Sequence, residues 1–185
     1  MVQHRESCGA RGGTVNSEFK KMILRPASHD DLSFILALEQ KFREMRLLGG
    51  SEPAVHERQL ANPDCLYWIV ETESGSAGFV ILRDIHSKDR NLELQRIAMA
   101  EPGRGLGSEV LHAVMERVFG EFGAHRLWLD TYFDNARAQH VYRSAGFSEE
   151  GVLRECKKWG DEYRSLVLMS ILESEYRAAH SKSVL

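Results

Sequence analysis

Residues 103–108 read Gly-Arg-Gly-Leu-Gly-Ser, and the types and spacing there suit one kind of chemistry, the holding of an anion. Glycines at alternate positions let the backbone adopt dihedrals closed to other residues and turn several N–H groups onto one concave surface. Val110, Leu111, Val114, Met115, Val118 and Phe119 follow at helical spacing, so the turn opens an amphipathic helix. Unpaired amides and the positive end of a helix dipole then converge where a phosphate or pyrophosphate would sit. Arg104 adds a cation at the rim. Spacing excludes two familiar phosphate loops. Ser108-Glu109 follows the last glycine where a nucleotide P-loop needs Lys and Ser or Thr, and Gly103-x-Gly105-x-Gly107 does not match the dinucleotide pattern G-x-G-x-x-G.

A second set of residues follows in the chain. Leu127-Trp128-Leu129-Asp130 reads as a strand, and Asn135, Ala138, Tyr142, Gly146 and Phe147 come after it in the pattern N-x-x-A-x-x-x-Y-x-x-x-G-F. Together with the loop x-x-G-x-G after a strand, this stretch resembles the GCN5-related N-acetyltransferase (GNAT) family over about residues 22–173. The resemblance implies an α/β fold with a mixed sheet of about seven strands, a central splayed parallel pair and about four helices. It implies acetyl-CoA as co-substrate, no metal, and direct attack by an amine with no covalent enzyme intermediate.

Carried onto this sequence, the resemblance makes Tyr142 the proton donor to the CoA sulfur; a phenol of pKa about 10 is protonated at neutral pH. Read without it, Tyr142 is an ordinary packing aromatic. Asn135 contacts the pantetheine chain, with a helix cap as the competing role. The strand backbone at Ile97, Ala98 and Met99 pairs with the pantetheine, and Gly103, Arg104, Gly105, Leu106, Gly107 and Ser108 hold the diphosphate. Glu93 and Asp130 are both candidates for the base, and strand alternation does not say which one points into the cleft. Two departures stand out. Pro102 occupies the position where the family usually has Gln or Arg and supplies no amide, and the connection from Met99 to Gly105 is about two residues short. The ending, residues 149–170, looks like the branch that acetylates ribosomal-protein N-termini, so a protein α-amine is the first expected acceptor. Polyamine and aminoglycoside acetylation are the alternatives within the family. A non-catalytic acyl-CoA sensor is the alternative outside it.

Composition limits the remaining classes. The 185 residues are 43% hydrophobic and 28% charged with a formal charge of -3, ordinary for a globular domain and without the basic footprint that nucleic acid requires. An acidic balance favours a cationic acceptor only slightly. No apolar run is long enough for a membrane span, which makes a cytoplasmic protein the expectation. Cys8, Cys65 and Cys156 are too scattered for a disulfide frame or zinc site. A homodimer is left open.

The elements that must position these residues follow from periodicity. Residues 1–21 form a polar arm, 22–175 the acetyltransferase domain and 176–185 a tail. A strand at 22–26 precedes a helix introduced by Ser28 and Asp31, with Ile35, Leu38, Phe42 and Met45 on one stripe. The glycines of 47–51 break it, and the Leu47-Leu48 pair there either lines an acceptor pocket or tucks under the helices. A second helix spans 52–61. Strands at 66–71, 77–83 and 92–99, the helix 108–119, a strand at 126–133, a short helix, and a hairpin of 152–158 with 163–171 complete the order. The two central strands flank a helix and should run parallel. His112 and Glu116 read as a solvated pair; His125 and His140 have no role assigned.

Overall fold

The structure is a computed structural model and describes residues 22–101, 103 and 105–181. The proposed arm, Pro102, Arg104 and residues 182–185 lie outside the described residues. Seven strands form one sheet: β1 Ile23–Pro26, β2 Cys65–Thr72, β3 Gly75–Arg83, β4 Asn91–Met99, β5 Arg126–Tyr132, β6 Ser148–Trp159 and β7 Glu162–Leu172. Their order is β1-β2-β3-β4-β5-β7-β6. The helices are α1 Leu32–Glu44, α2 Pro53–Leu60, α3 Leu106–Gly120, α4 Ala136–Ser144 and α5 Glu173–Ser181. Among the described residues there are thus five α-helices where about four were expected, and α5 takes up most of the expected tail. Its Tyr176 stacks on Phe119 with ring centroids 4.7 Å apart.

Helices cover both faces of the sheet. On one, α3 buries Val110, Leu111, Val114, Met115, Val118 and Phe119 against Leu92, Leu94, Leu127 and Leu129. Each such side chain contributes about 1.5–3 kcal/mol of gross transfer free energy, which fixes the start of α3 relative to the strand ends. On the other face, Ile35 and Leu38 of α1 pack on Tyr67, Ile69, Phe79, Ile81 and Ala98. The Ser28 and Asp31 box is present, with the Ser28 amide donating to Asp31 at 2.8 Å. It opens a 3-10 turn, His29–Asp31, that leads into α1.

Strands β4 and β5 are the parallel pair, and they stay together for three residues only. Asn91 pairs Arg126, Leu92 pairs Leu127 and Glu93 pairs Trp128; beyond Glu93 the strands separate. On its far side β5 remains paired with β7 along all seven residues, to Tyr132 opposite Leu166. The gap is therefore a fork inside a continuous sheet.

A bulge in β4 sets what faces that fork. Leu82 of β3 pairs Leu94 while Ile81 pairs Arg96, leaving Gln95 as the extra residue. Leu92 and Leu94 point to the α3 side before the bulge and Met99 does so after it, whereas Ala98 joins the α1 side. The phase of the strand changes at Gln95. Close packing then holds β3 to β4: a Cβ on Gly78 would lie 2.4 Å from the Ala98 carbonyl oxygen, so only glycine fits.

Candidate active site

The fork opens into a cavity of about 870 Å³. One end is the glycine turn. Gly103 and Gly105 have φ of 104° and 81°, a left-handed backbone that glycine adopts without penalty. Gly105 caps α3, and the first bonds that close the helix run from the Ser108 and Glu109 amides to its carbonyl, at 3.0 and 3.3 Å. The amides just before them belong to the open first turn. Gly103, Gly105, Gly107 and Ser108 line the cavity; the Leu106 side chain packs against the core, leaving that residue only its amide to contribute.

Arg137 is a site residue that the spacing argument missed. It lines the cavity, and its guanidinium would lie 3.8 Å from a Cβ placed on Gly103. Arg104, the cation expected at this rim, lies outside the described residues. A signal for Arg137 did exist in the sequence: it is the second residue of α4, where a helix dipole disfavours a cation. A basic residue there fits better with an anion opposite it.

Glu93, Ile97, Ala98, Met99, Asn135 and Tyr142 also line the cavity, and so does Asp130. The Asn135 side chain caps α4, accepting from the Ala138 amide at 3.2 Å. Its oxygen therefore has the helix-cap role, while the residue still borders the cavity. Tyr142 packs beside Phe147, ring centroids 5.9 Å apart, in the α3-side core. Among the described residues its hydroxyl has no hydrogen-bond partner, and no buried side-chain polar atom is left unsatisfied, so the hydroxyl opens to the cavity. Burial, helped by the Asp130 charge, pushes its pKa upward. The phenol stays protonated.

Glu93 and Asp130 both face the α1 side. Leu127 and Leu129 occupy the opposite face of β5, which settles the orientation of Asp130, and the bulge at Gln95 lets Glu93 share a face with Arg96. Burial raises the pKa of each carboxylate. For Glu93, Arg83 at 3.4 Å opposes that push and the Asp130 charge adds to it. Lys157 and Arg96 oppose it for Asp130. Among the described residues Asp130 has no ion pair.

The other end of the cavity is built from the α1–α2 loop and the β6–β7 hairpin. Met45, Leu47, Leu48 and Gly49 line it on one side, Trp159 and Gly160 on the other. Leu47 and Leu48 thus take the pocket-lining role. The wall is clasped from both sides. Arg164 lies over the Tyr132 ring at 3.7 Å, donates to the Arg46 carbonyl at 2.8 Å and pairs with Asp134 at 2.7 Å; Arg46 pairs with Glu162. Underneath, Glu39, 2% exposed, accepts from the Ser51 amide at 2.8 Å and from Arg96 at 3.3 Å and meets His56 at 3.2 Å. Arg96 also donates to the Gly49 carbonyl at 3.0 Å. Burial works against the Glu39 charge, but His56, the Ser51 amide and Arg96 outweigh it and hold the pKa below the usual range.

The histidines set aside above stay apart from this chemistry. His112 approaches the Ser108 carbonyl at 2.7 Å, and no His112–Glu116 pair forms among the described residues.

A family model for the acetyltransferase (GNAT) domain matches residues 21–148, most of the chain. The chain is a GNAT acetyltransferase. It is an acetyl-CoA-dependent N-acetyltransferase, with the sheet of seven strands and the parallel β4–β5 pair expected of that fold. The acetyltransferase is 28% identical to the spermidine N(1)-acetyltransferase of Escherichia coli K12 over 166 residues, 85% of this chain and 89% of that one. It is 28% identical to the Vibrio cholerae spermidine N(1)-acetyltransferase over 116 residues, 62% of this chain and 67% of that one. A crystal structure of the Vibrio cholerae spermidine N-acetyltransferase in complex with CoA and spermine superposes with a TM-score of 0.75 at 25% identity, covering 84% of this chain and 97% of that one. These relatives are spermidine enzymes, not members of the ribosomal-protein branch that the ending of the sequence suggested.

Proposed function

We propose that this acetyltransferase modifies a small aliphatic primary amine. The observation that carries the reading is the clasped wall: Arg164 and the Arg46–Glu162 pair tie the α1–α2 loop to the β6–β7 hairpin, giving the acceptor end a bounded pocket rather than an open groove for a polypeptide. The spermidine acetyltransferases to which the chain is similar support the same reading and place spermidine among the amines to test.

In the proposed mechanism the amides of residues 105–107 and Arg137 grip the diphosphate of acetyl-CoA, a ligand suited to a helix start. Past Glu93, the β4 backbone has no partner strand on the β5 side, so it can pair with the pantetheine and aim the thioester at the fork. The amine loses its proton to the Asp130 and Glu93 carboxylates, directly or through water. Their raised pKa values bring them nearer to neutrality than ordinary carboxylates. The neutral nitrogen attacks the carbonyl carbon, the C–S bond breaks, Tyr142 supplies a proton to the departing thiolate, and the proton that the acylated nitrogen sheds restores the phenol.

Thiol release with spermidine, simple alkylamines and unmodified peptide N-termini tests the acceptor class. Turnover of small amines at least tenfold above peptides is expected. A preference for peptides defeats the reading, and acetyl-CoA binding without release to any amine would point to a binding module.

A further inference from the structure

Strand β5 sends a phenol of its own into the cavity. It pairs with β7 without a register shift, so its side chains alternate: Leu127 and Leu129 face α3, while Asp130 and Tyr132 share the α1 side, two residues apart. Tyr132 is 8% exposed, yet it joins neither apolar cluster beneath the helices. The wall of the site is what covers it. Arg164 lies over its ring, Trp159 meets it edge-on with centroids 5.8 Å apart, and a Cβ placed on Gly49 would lie 3.5 Å from its hydroxyl oxygen. That hydroxyl has no hydrogen-bond partner among the described residues, and no buried side-chain polar atom there is left unsatisfied, so it opens to the cavity that Tyr132 lines. Packing accounts for the ring but not for the oxygen, because phenylalanine would make the same contacts with Arg164 and Trp159. Burial pushes the pKa of the phenol up, against Arg164 and Arg96 and with Asp130, so the group is neutral.

We propose that Tyr132 binds the acceptor nitrogen, its Oη accepting the N–H that survives in the product amide. The inference rests on the small-amine reading above and deepens it by giving each hydrogen of the nitrogen its own partner. Of the three on the incoming ammonium, one passes to the fork carboxylates and one restores the phenol of Tyr142. The third stays on nitrogen. With that hydrogen held by Tyr132, whose oxygen has lone pairs to accept it, and the carbon chain directed along the Leu47-Leu48 wall, the lone pair freed by deprotonation is left to face the thioester. The group transfer is unaltered: the N–C bond forms, the C–S bond breaks, and Tyr132 neither gains nor loses a proton. A secondary amine has one hydrogen fewer and leaves Tyr132 without its bond.

Tyr132→Phe tests this, since it keeps the ring with its Arg164 and Trp159 contacts and removes the oxygen alone. Thiol release is measured for variant and wild type with the best primary amine of the panel and with its N-methyl derivative, beside calorimetric titration of acetyl-CoA and thermal unfolding. For the primary amine kcat/KM is expected to fall about tenfold, the scale of one hydrogen bond, with acetyl-CoA affinity and Tm unchanged. The wild-type preference for the primary amine over its N-methyl derivative should shrink about tenfold in the variant, a change of selectivity that a packing defect does not produce. Should neither protein turn over the N-methyl derivative, its Ki as a competitor of the primary amine supplies the same comparison. An unchanged kcat/KM, or a loss that falls equally on both amines, overturns the inference and leaves the small-amine function standing. If no amine of any kind releases CoA, the function itself has failed, and this inference with it.

Discussion

Tyr142 sits where two demands meet. Its ring is held by the α3-side core and Phe147, while its hydroxyl opens toward the fork. Tyr142→Phe keeps the ring and removes the proton, so kcat is expected to fall about a hundredfold, within the range ascribed to general acids, with acetyl-CoA affinity changed less than threefold. Steady-state thiol release and calorimetric titration of acetyl-CoA check the two halves, and parallel losses would assign Tyr142 to packing. That Tyr142, Asn135 and the glycines border one cavity was legible because the motif fixes their spacing in sequence. Arg137 was missed because its chemistry comes from where α4 folds, beside Gly103. That Glu93 and Asp130 share one face was hidden for another reason. Side-chain direction along β4 depends on the extra residue at Gln95, and nothing about a glutamine announces a bulge.

The elements follow the hydrophobic periods closely, with strand and helix ends shifted by one or two residues from the expected limits. The larger departures occur where period carries little information. Strand β6 begins at Ser148, because its residues are mostly exposed at the sheet edge and hardly alternate. Helix α5 is short and polar, attached through Tyr176 rather than a stripe. The α1–α2 loop is the element with most influence on function, and it is fixed from below by Glu39. Glu39→Ala leaves Arg96 and His56 without their buried partner, and destabilisation by about 3 kcal/mol is expected, read from denaturant unfolding. The pH dependence has a definite sign. Because the folded pKa of Glu39 lies below its ordinary 4.5, its contribution is complete above that value and disappears as pH falls through the folded pKa. The stability gap between wild type and Glu39→Ala should therefore narrow in acid.

For the whole molecule, a formal charge of -3 misdescribes the site. The cavity is bordered by Arg43, Arg83, Arg96, Arg137, Lys157 and Lys158 against Glu93, Glu101 and Asp130, so the sign of the net charge and the sign of the lining differ. Composition records the first; only the fold shows the second. Architecture was legible from sequence because an α-helix joining two strands of one sheet imposes a parallel pair, and the glycine turn marks where it starts. The length of that pairing was not legible. Three residue pairs followed by a fork depend on β7 holding β5 away from β4, a long-range competition that local pattern does not encode. A crystal structure of the enzyme with acetyl-CoA tests this arrangement most directly. The account predicts the diphosphate within 3.2 Å of the amides that open α3, the pantetheine lying along β4 past Glu93, and the sulfur within hydrogen-bonding reach of the Tyr142 hydroxyl. Acetyl-CoA bound elsewhere, or a fork closed with Tyr142 turned from the sulfur, would contradict it.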